Sequence, residues 1–229
     1  MLICPFYNQT CILKPQATLP DFKLTHDCQG KLDRCSFFIK EKIKQIKTES
    51  NLKIIIKQVS NAYLVKADGL VYPSNTLLKV DDGLLARMTN NQIQLRCNKL
   101  YDEGIKLGYS YFFPVEDAWK LKQKYFFSAI IAVESRLVNE YDIASAMKKS
   151  LLLADQMQLE SLVIIPCDNG THDIALTSQA QLAAIFSFSE KHQYKFLKTI
   201  YICMEDEESE QVFIEYYNRI FGGDLEPNA

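Results

Sequence analysis

The sequence predicts an α/β domain whose sheet is covered by helices on both faces, preceded by a small cysteine-containing segment. Short runs rich in β-branched residues alternate with stretches of helical periodicity from residue 52 onward. The strand-like runs are apolar almost throughout, which is typical of strands buried on both faces. The first 36 residues lack this alternation and contain four of the seven cysteines. We therefore divide the chain into an N-terminal segment with a short helix, residues 1–50, and an α/β domain, residues 51–225.

Five runs are predicted to form strands of that sheet. Each is short and combines apolar residues with β-branched or aromatic ones, as buried strands do. They cover residues 52–59, 69–72, 125–133, 161–165 and 196–203.

Four stretches are predicted to be helical. Residues 139–157 carry an apolar stripe at helical spacing. Ser178, followed by Gln181, predicts a capping box that opens a helix reaching about residue 190. The acidic run 205–208 favours the start of a last helix, which ends near residue 221. A shorter helix is predicted over residues 37–47, with its apolar positions at Phe38, Ile39, Ile43 and Ile46.

Composition excludes several classes of protein. The 229 residues are 48% hydrophobic and 24% charged, which is ordinary for a globular protein and too apolar for a disordered one. A formal net charge of −2 lacks the basic excess of nucleic-acid-binding proteins, so direct nucleic-acid binding is not expected. No window approaches the roughly 18 apolar residues of a membrane span. The N-terminus lacks the basic start and apolar core of a signal peptide, so we expect a cytoplasmic protein.

The N-terminal cysteines form two C-x6-C pairs separated by sixteen residues. In a reducing compartment such a cluster favours metal binding over disulfides. Four thiolates suit a structural zinc ion, and an iron–sulfur cluster is the other candidate. The spacing is wider than the two to four residues of common zinc pairs, so unlinked packing cysteines stay an alternative. The predicted ligands are Cys4, Cys11, Cys28 and Cys35.

Turn-forming and polar residues follow two of the predicted strands. One segment runs through residues 72–76 to 81–84, and the other covers residues 166–173. In α/β sheets the ligand crevice lies beyond the carboxyl ends of the strands. Both segments are therefore candidates for a binding site. Trp119, beside Lys120, is instead interpreted as a surface or interdomain anchor.

Residues 52–221 resemble a macro domain, the ADP-ribose-binding α/β module, in the order and spacing of their segments. The run 68–75 (DGLVYPSN) is similar to the family's strand that ends in asparagine, and 77–86 stand where its first glycine-rich loop opens a helix. Residues 108–133 look like its middle strands, and the loop containing Gly170 looks like its second phosphate loop. The resemblance implies a three-layer α/β/α fold with a mixed, mostly parallel sheet.

The resemblance also implies a ligand and the residues that hold it. The ligand would be ADP-ribose or a related nucleotide, with ADP-ribosylated proteins as partners. Asn61 would meet the adenine and Asn75 the distal ribose, while backbone amides of the two loops would cradle the phosphates. The first loop keeps a single glycine and adds Asp81 and Asp82, whose charges oppose phosphate binding. The implied binding residues are Asn61, Ala62, Asn75, Gly83, Leu84, Asp168, Asn169, Gly170 and Thr171.

Three functions are compatible with these residues. If the protein is an enzyme, we expect an ADP-ribosyl hydrolase in which Asp82 or His172 activates water. The first alternative is an interaction module whose crevice no longer binds a nucleotide. The second is a divalent-dependent phosphohydrolase, which would require Asp81, Asp82, Asp168 and Asp173 to converge.

Overall fold

The computed structural model describes residues 52–79, 83–102, 104–116, 119–132, 139–166, 173–190 and 194–222. Within these ranges it contains six strands, five α-helices and one 3₁₀ turn, Ala62–Leu64. The strands are β1 (Lys53–Gln58), β2 (Gly69–Asn75), β3 (Ser110–Pro114), β4 (Tyr125–Ala132), β5 (Ser161–Ile164) and β6 (Thr199–Met204). The helices are α1 (Gly83–Met88), α2 (Gln92–Asp102), α3 (Glu140–Gln156), α4 (Ile174–Glu190) and α5 (Glu207–Phe221).

The strands form one mixed sheet in the order β1-β6-β5-β2-β4-β3. Every neighbouring pair is parallel except β3 with β4, which is antiparallel. This confirms the predicted fold class. Because β1, β6, β5, β2 and β4 run in one direction, their carboxyl ends meet at a single edge of the sheet.

Helices cover both faces of this sheet, and each face has its own apolar core. Consecutive residues of β4 show the division, since Phe127 belongs to the core under α3, α4 and α5, while Phe126 belongs to the core under α1 and α2. Side chains alternate between faces along a strand, so a strand buried on both sides is apolar at successive positions. This is the physical reason for the uninterrupted apolar runs in the sequence.

Capping residues set the ends of two helices close to the predicted positions. The side-chain oxygen of Asn139 accepts a hydrogen bond from the Asp142 amide at 2.9 Å, and α3 starts at the next residue. Asp206 caps α5 in the same way, so this helix begins at Glu207, two residues later than predicted. An N-cap side chain satisfies amides that have no partner inside the helix.

Three predictions about local structure were wrong. Helix α4 begins at Ile174, and Ser178 lies inside it, fully buried, with its hydroxyl donating to the Ala175 carbonyl. Strand β6 begins at Thr199 rather than at residue 196, because the buried Asp155 carboxylate accepts the preceding backbone amides. Trp119, expected at a surface or between domains, is 5% exposed and packs edge-on against Phe113.

Several predictions fall outside the described residues. They are the boundary at residues 50 and 51, the helix over residues 37–47, and the four N-terminal cysteines. The helices that are described include none with the length and hydropathy to cross a membrane.

Candidate functional site

A cavity of about 270 Å³ lies at the edge of the sheet where the parallel strands end. Its walls come from the ends of β2, β5 and β6, from the 3₁₀ turn after β1, and from the start of α5. We call it the carboxyl-edge cavity. It is lined by Ala62, Tyr63, Tyr72, Pro73, Ile165, Pro166, Cys203, Met204, Glu205, Asp206 and Ser209.

Two amide side chains hold the 3₁₀ turn that forms one wall. The Asn61 Oδ1 atom accepts a hydrogen bond from the Tyr63 amide at 2.9 Å, and its Nδ2 lies 3.9 Å from the Met88 sulfur in α1. The buried Gln123 side chain donates from Nε2 to the carbonyls of Ala62 and Val65. Since both ends of the turn are bonded to other elements, this wall is preorganised.

The start of α5 supplies a negatively charged wall. The Asp206 carboxylate accepts hydrogen bonds from the backbone amide and the hydroxyl of Ser209, both at 2.7 Å. These bonds hold the pKa of Asp206 below its usual value, so the carboxylate is ionised at neutral pH. Glu205 is exposed beside it, and its carbonyl accepts from the Gln58 side chain at the end of β1.

Cys203 lies on the floor of the cavity but is not a nucleophile. The residue is 1% exposed, and burial raises the pKa of its thiol to about 11. The thiolate is the reactive form of cysteine, and at neutral pH this group stays protonated. Together with Met204 it acts as an apolar surface.

Asn75 and Gly83 lie at the same edge of the sheet, outside the lining of the cavity. Asn75 is the last residue of β2, and its Oδ1 accepts from the Leu77 amide at 3.0 Å, which forms a turn. Gly83 is exposed at the start of α1, and an added Cβ there would meet no atom within 4 Å. The space directly beside the Gly83 Cα atom is therefore open, and no contact there requires glycine.

The residues implied by the resemblance fall into three groups. Ala62 lines the cavity, with Asn61 directly before it. Asn75, Gly83 and Leu84 belong to the neighbouring β2 end and α1. The others lie outside the described residues: Asp82, Asp168, Asn169, Gly170, Thr171 and His172.

The sequence did not identify as site residues those that β6 and the start of α5 contribute, namely Cys203, Met204, Glu205, Asp206 and Ser209. Their signal was present, because an acidic capping sequence follows directly on a predicted strand. The sequence did not show that β6 lies next to β5. This position brings the end of β6 beside the ends of β5 and β2. The described residues contain no group of three or more side chains suited to hold a metal ion.

Macrodomains share this fold among solved structures. A mutant of the Oceanobacillus iheyensis macrodomain with ADPR matches at a TM-score of 0.63 and 14% identity, over 76% of this chain and 96% of its own. The Trypanosoma brucei macrodomain in complex with ADP matches at a TM-score of 0.61 and 15% identity, over 75% of this chain and 72% of its own. The macro domain of ganglioside induced differentiation associated protein 2 matches at a TM-score of 0.60 and 13% identity, over 74% of this chain and 84% of its own. No protein-family model and no curated protein matches the chain.

Proposed function

We propose that this chain, which has the macro-domain fold, binds ADP-ribose or a related nucleotide at the carboxyl edge of its sheet. One observation carries the proposal: a preorganised cavity lies where the parallel strands end, in a fold whose solved examples include complexes with ADPR and ADP. This edge is the usual ligand position in α/β sheets. A role as a nucleotide-binding module follows.

The size of the cavity suits one end of such a ligand. Pockets for drug-sized molecules measure roughly 300–1,000 Å³, and the carboxyl-edge cavity has about 270 Å³. We therefore expect the base to enter it, against Tyr63, Tyr72 and Met204. Flat rings gain about 1–3 kcal/mol per base from stacking on aromatic side chains.

Charge orients the rest of the ligand. The carboxylates of Glu205 and Asp206 at the α5 wall repel phosphates, and the repulsion weakens with distance. The phosphates should extend away from α5, along the ends of β5 and β2 toward α1. Asn75 would then meet the distal ribose, and the backbone beside Gly83 and Gly170 the phosphates.

Calorimetric titration tests the binding. We expect ADP-ribose and ADP to bind and ribose 5-phosphate to bind more weakly. Tyr72→Ala should weaken ADP-ribose binding by about tenfold or more, since it removes a ring wall. Tyr72→Phe keeps the ring and should bind normally. Tyr111→Ala is the control, because it truncates another half-buried ring that does not line the cavity.

Two results would count against the proposal. Absence of heat with wild-type protein at millimolar ADP-ribose would leave the interaction module as the function. Binding that Tyr72→Ala does not weaken would move the ligand out of this cavity.

Processing of ADP-ribose is a further part of the proposal, with Asp82 or His172 as the group that activates water. General-base catalysis contributes about 10²–10⁴ in rate. Release of ADP-ribose from a mono-ADP-ribosylated peptide should then fall by that factor in Asp82→Ala or His172→Ala. Asp102→Ala, an exposed acidic residue at the end of α2, is the control. A wild-type protein that binds the peptide and releases nothing is a binding module.

A further inference from the structure

Among the described residues, the end of the sheet formed by β1 and β6 is covered on one face and partly exposed on the other. On the first face Ile56, Ile200 and Ile202 are buried under α4 and α5. On the second face the paired residues Ile55 and Tyr201 are each partly exposed. We call Ile55, Lys57, Thr199 and Tyr201 the open face.

Burial changes abruptly along this second face. Tyr201 pairs with Val163 of β5 on its other side, and Val163 is fully buried in the core under α1 and α2. Ile55, one strand further out, packs into neither of the two cores of the described residues. The core under α1 and α2 thus reaches β6, where it contains Cys203 and contacts Tyr201 at its margin, and among the described residues it leaves Ile55 of the outer strand β1 uncovered.

The open face is apolar at its centre. Ile55 and Tyr201 lie side by side, and the Lys57 ammonium sits 4.9 Å from the centre of the Tyr201 ring, with its stem along the same surface. Strand β1 is also an edge strand, and natural proteins commonly cover such edges because exposed ones pair with other chains.

The chain supplies a segment of matching character. Residues 37–47 (FFIKEKIKQIK) place Ile39, Ile43 and Ile46 at the i, i+4, i+7 spacing of one helical stripe. At 1.5 Å per residue, such a helix would be about 16 Å long. The six-residue β1 spans about 20 Å.

The connection is also of the right length. Residues 48–51 separate the stripe from the described domain, which begins beside β1. Helix-to-strand loops in α/β units usually have 2–6 residues, and such a helix runs back along the sheet that the strand enters. The first face of β1 already carries α5, so the open face is the available one.

We propose that residues 37–47 form an amphipathic helix that packs on the open face, with Ile43 toward Ile55 and Tyr201. The N-terminal segment thereby completes the second layer of the domain over β1 and β6. The cysteines upstream are then anchored to this end of the sheet.

Hydrogen exchange of the full chain tests this packing. Ile43→Asp should accelerate exchange of the β1 and β6 amides by at least about tenfold, because it removes a buried isoleucine from the covering layer. Gln45→Asp introduces the same change of charge on the opposite side of the predicted helix and should leave these amides unchanged. Conversely, Ile55→Ser should expose residues 37–47 to exchange.

Each other outcome would overturn the proposal. Unchanged β1 and β6 exchange in Ile43→Asp would mean that residues 37–47 lie elsewhere. Equal acceleration in Ile43→Asp and Gln45→Asp would mean that no specific face is involved. Sedimentation that shows a wild-type dimer and an Ile55→Ser monomer would identify a second copy of the chain as the occupant.

Discussion

Replacing Asp206 tests how the α5 wall of the carboxyl-edge cavity is built. Its carboxylate accepts two hydrogen bonds from Ser209 and caps a helix of 15 residues. Loss of an N-cap typically costs about 0.5–2 kcal/mol. For a domain of this size, 1 kcal/mol corresponds to roughly 2–4 °C in Tm. Asp206→Ala should therefore lower the Tm by about 1–8 °C.

Asp206→Asn separates the cap from the charge. Asparagine is as good an N-cap as aspartate, so this variant loses mainly the interaction of the carboxylate with the helix dipole, about 0.3–1 kcal/mol. It also removes one negative charge from the wall of the cavity. We expect Asp206→Asn to melt between wild type and Asp206→Ala, and to bind ADP-ribose at least as tightly as wild type.

The pH dependence gives an independent check. The pKa of Asp206 is lowered in the folded protein, so its stabilising contribution is present above the unfolded-state pKa of about 3.9. That contribution is lost as the pH falls through the folded-state pKa. The Tm difference between wild type and Asp206→Ala should be constant from about pH 5 to 7 and shrink below about pH 4. Circular dichroism melts with a pH-independent difference, or equal Tm values for the alanine and asparagine variants, would refute this reasoning.

Three further predictions concern the packing of the domain and the N-terminal segment. Gly69→Ala should destabilise by about 1–3 kcal/mol, because the added Cβ would lie 2.7 Å from the Leu162 side chain; a denaturant midpoint equal to wild type would contradict this. Asp155→Ala should cost at least as much, because it removes the acceptor of the amides of residues 195–197, and the buried Leu197 amide alone costs about 1–3 kcal/mol when it has no partner. Urea unfolding measures the loss. Metal analysis should find about one zinc ion, or an iron–sulfur absorbance, per chain. Cys28→Ser should lower both the metal content and the Tm. A metal-free wild type would exclude the site.

Local patterns were sufficient for most of the secondary structure. Five of the six described strands were recognisable because burial on both faces makes successive positions apolar, whereas the edge strand β3 is buried at only two of its five positions. Helix α3 was predicted within one residue at each end from its apolar stripe, and in the structure Asn139 caps its start. Helix α4 was misread because ten of its seventeen residues are buried, including Ser178 and Gln181. Serine and glutamine residues that are buried inside a helix are the same residue types that form a capping box, so the sequence does not distinguish the two positions.

The candidate site was predictable in position and only partly in composition. Turn residues after β2 and β5 indicated the edge of the sheet at which the cavity lies, because parallel strands end together. Ala62 was among the implied binding residues and lines the cavity. Met204 and Asp206 were missed, since they belong to a strand and a helix near the end of the chain. Nothing in their own neighbourhood shows which strands they adjoin.

The amino-acid sequence alone indicated five of the six described strands and the approximate bounds of α3 and α5, because these depend on contacts within a few residues. Tertiary structure decided the order of the strands, with β6 inserted between β1 and β5. That order brings Tyr63, Tyr72 and Asp206 around one cavity, although they are up to 143 positions apart in the numbering. Long-range pairing depends on the packing of the whole sheet, so no short stretch of sequence encodes it.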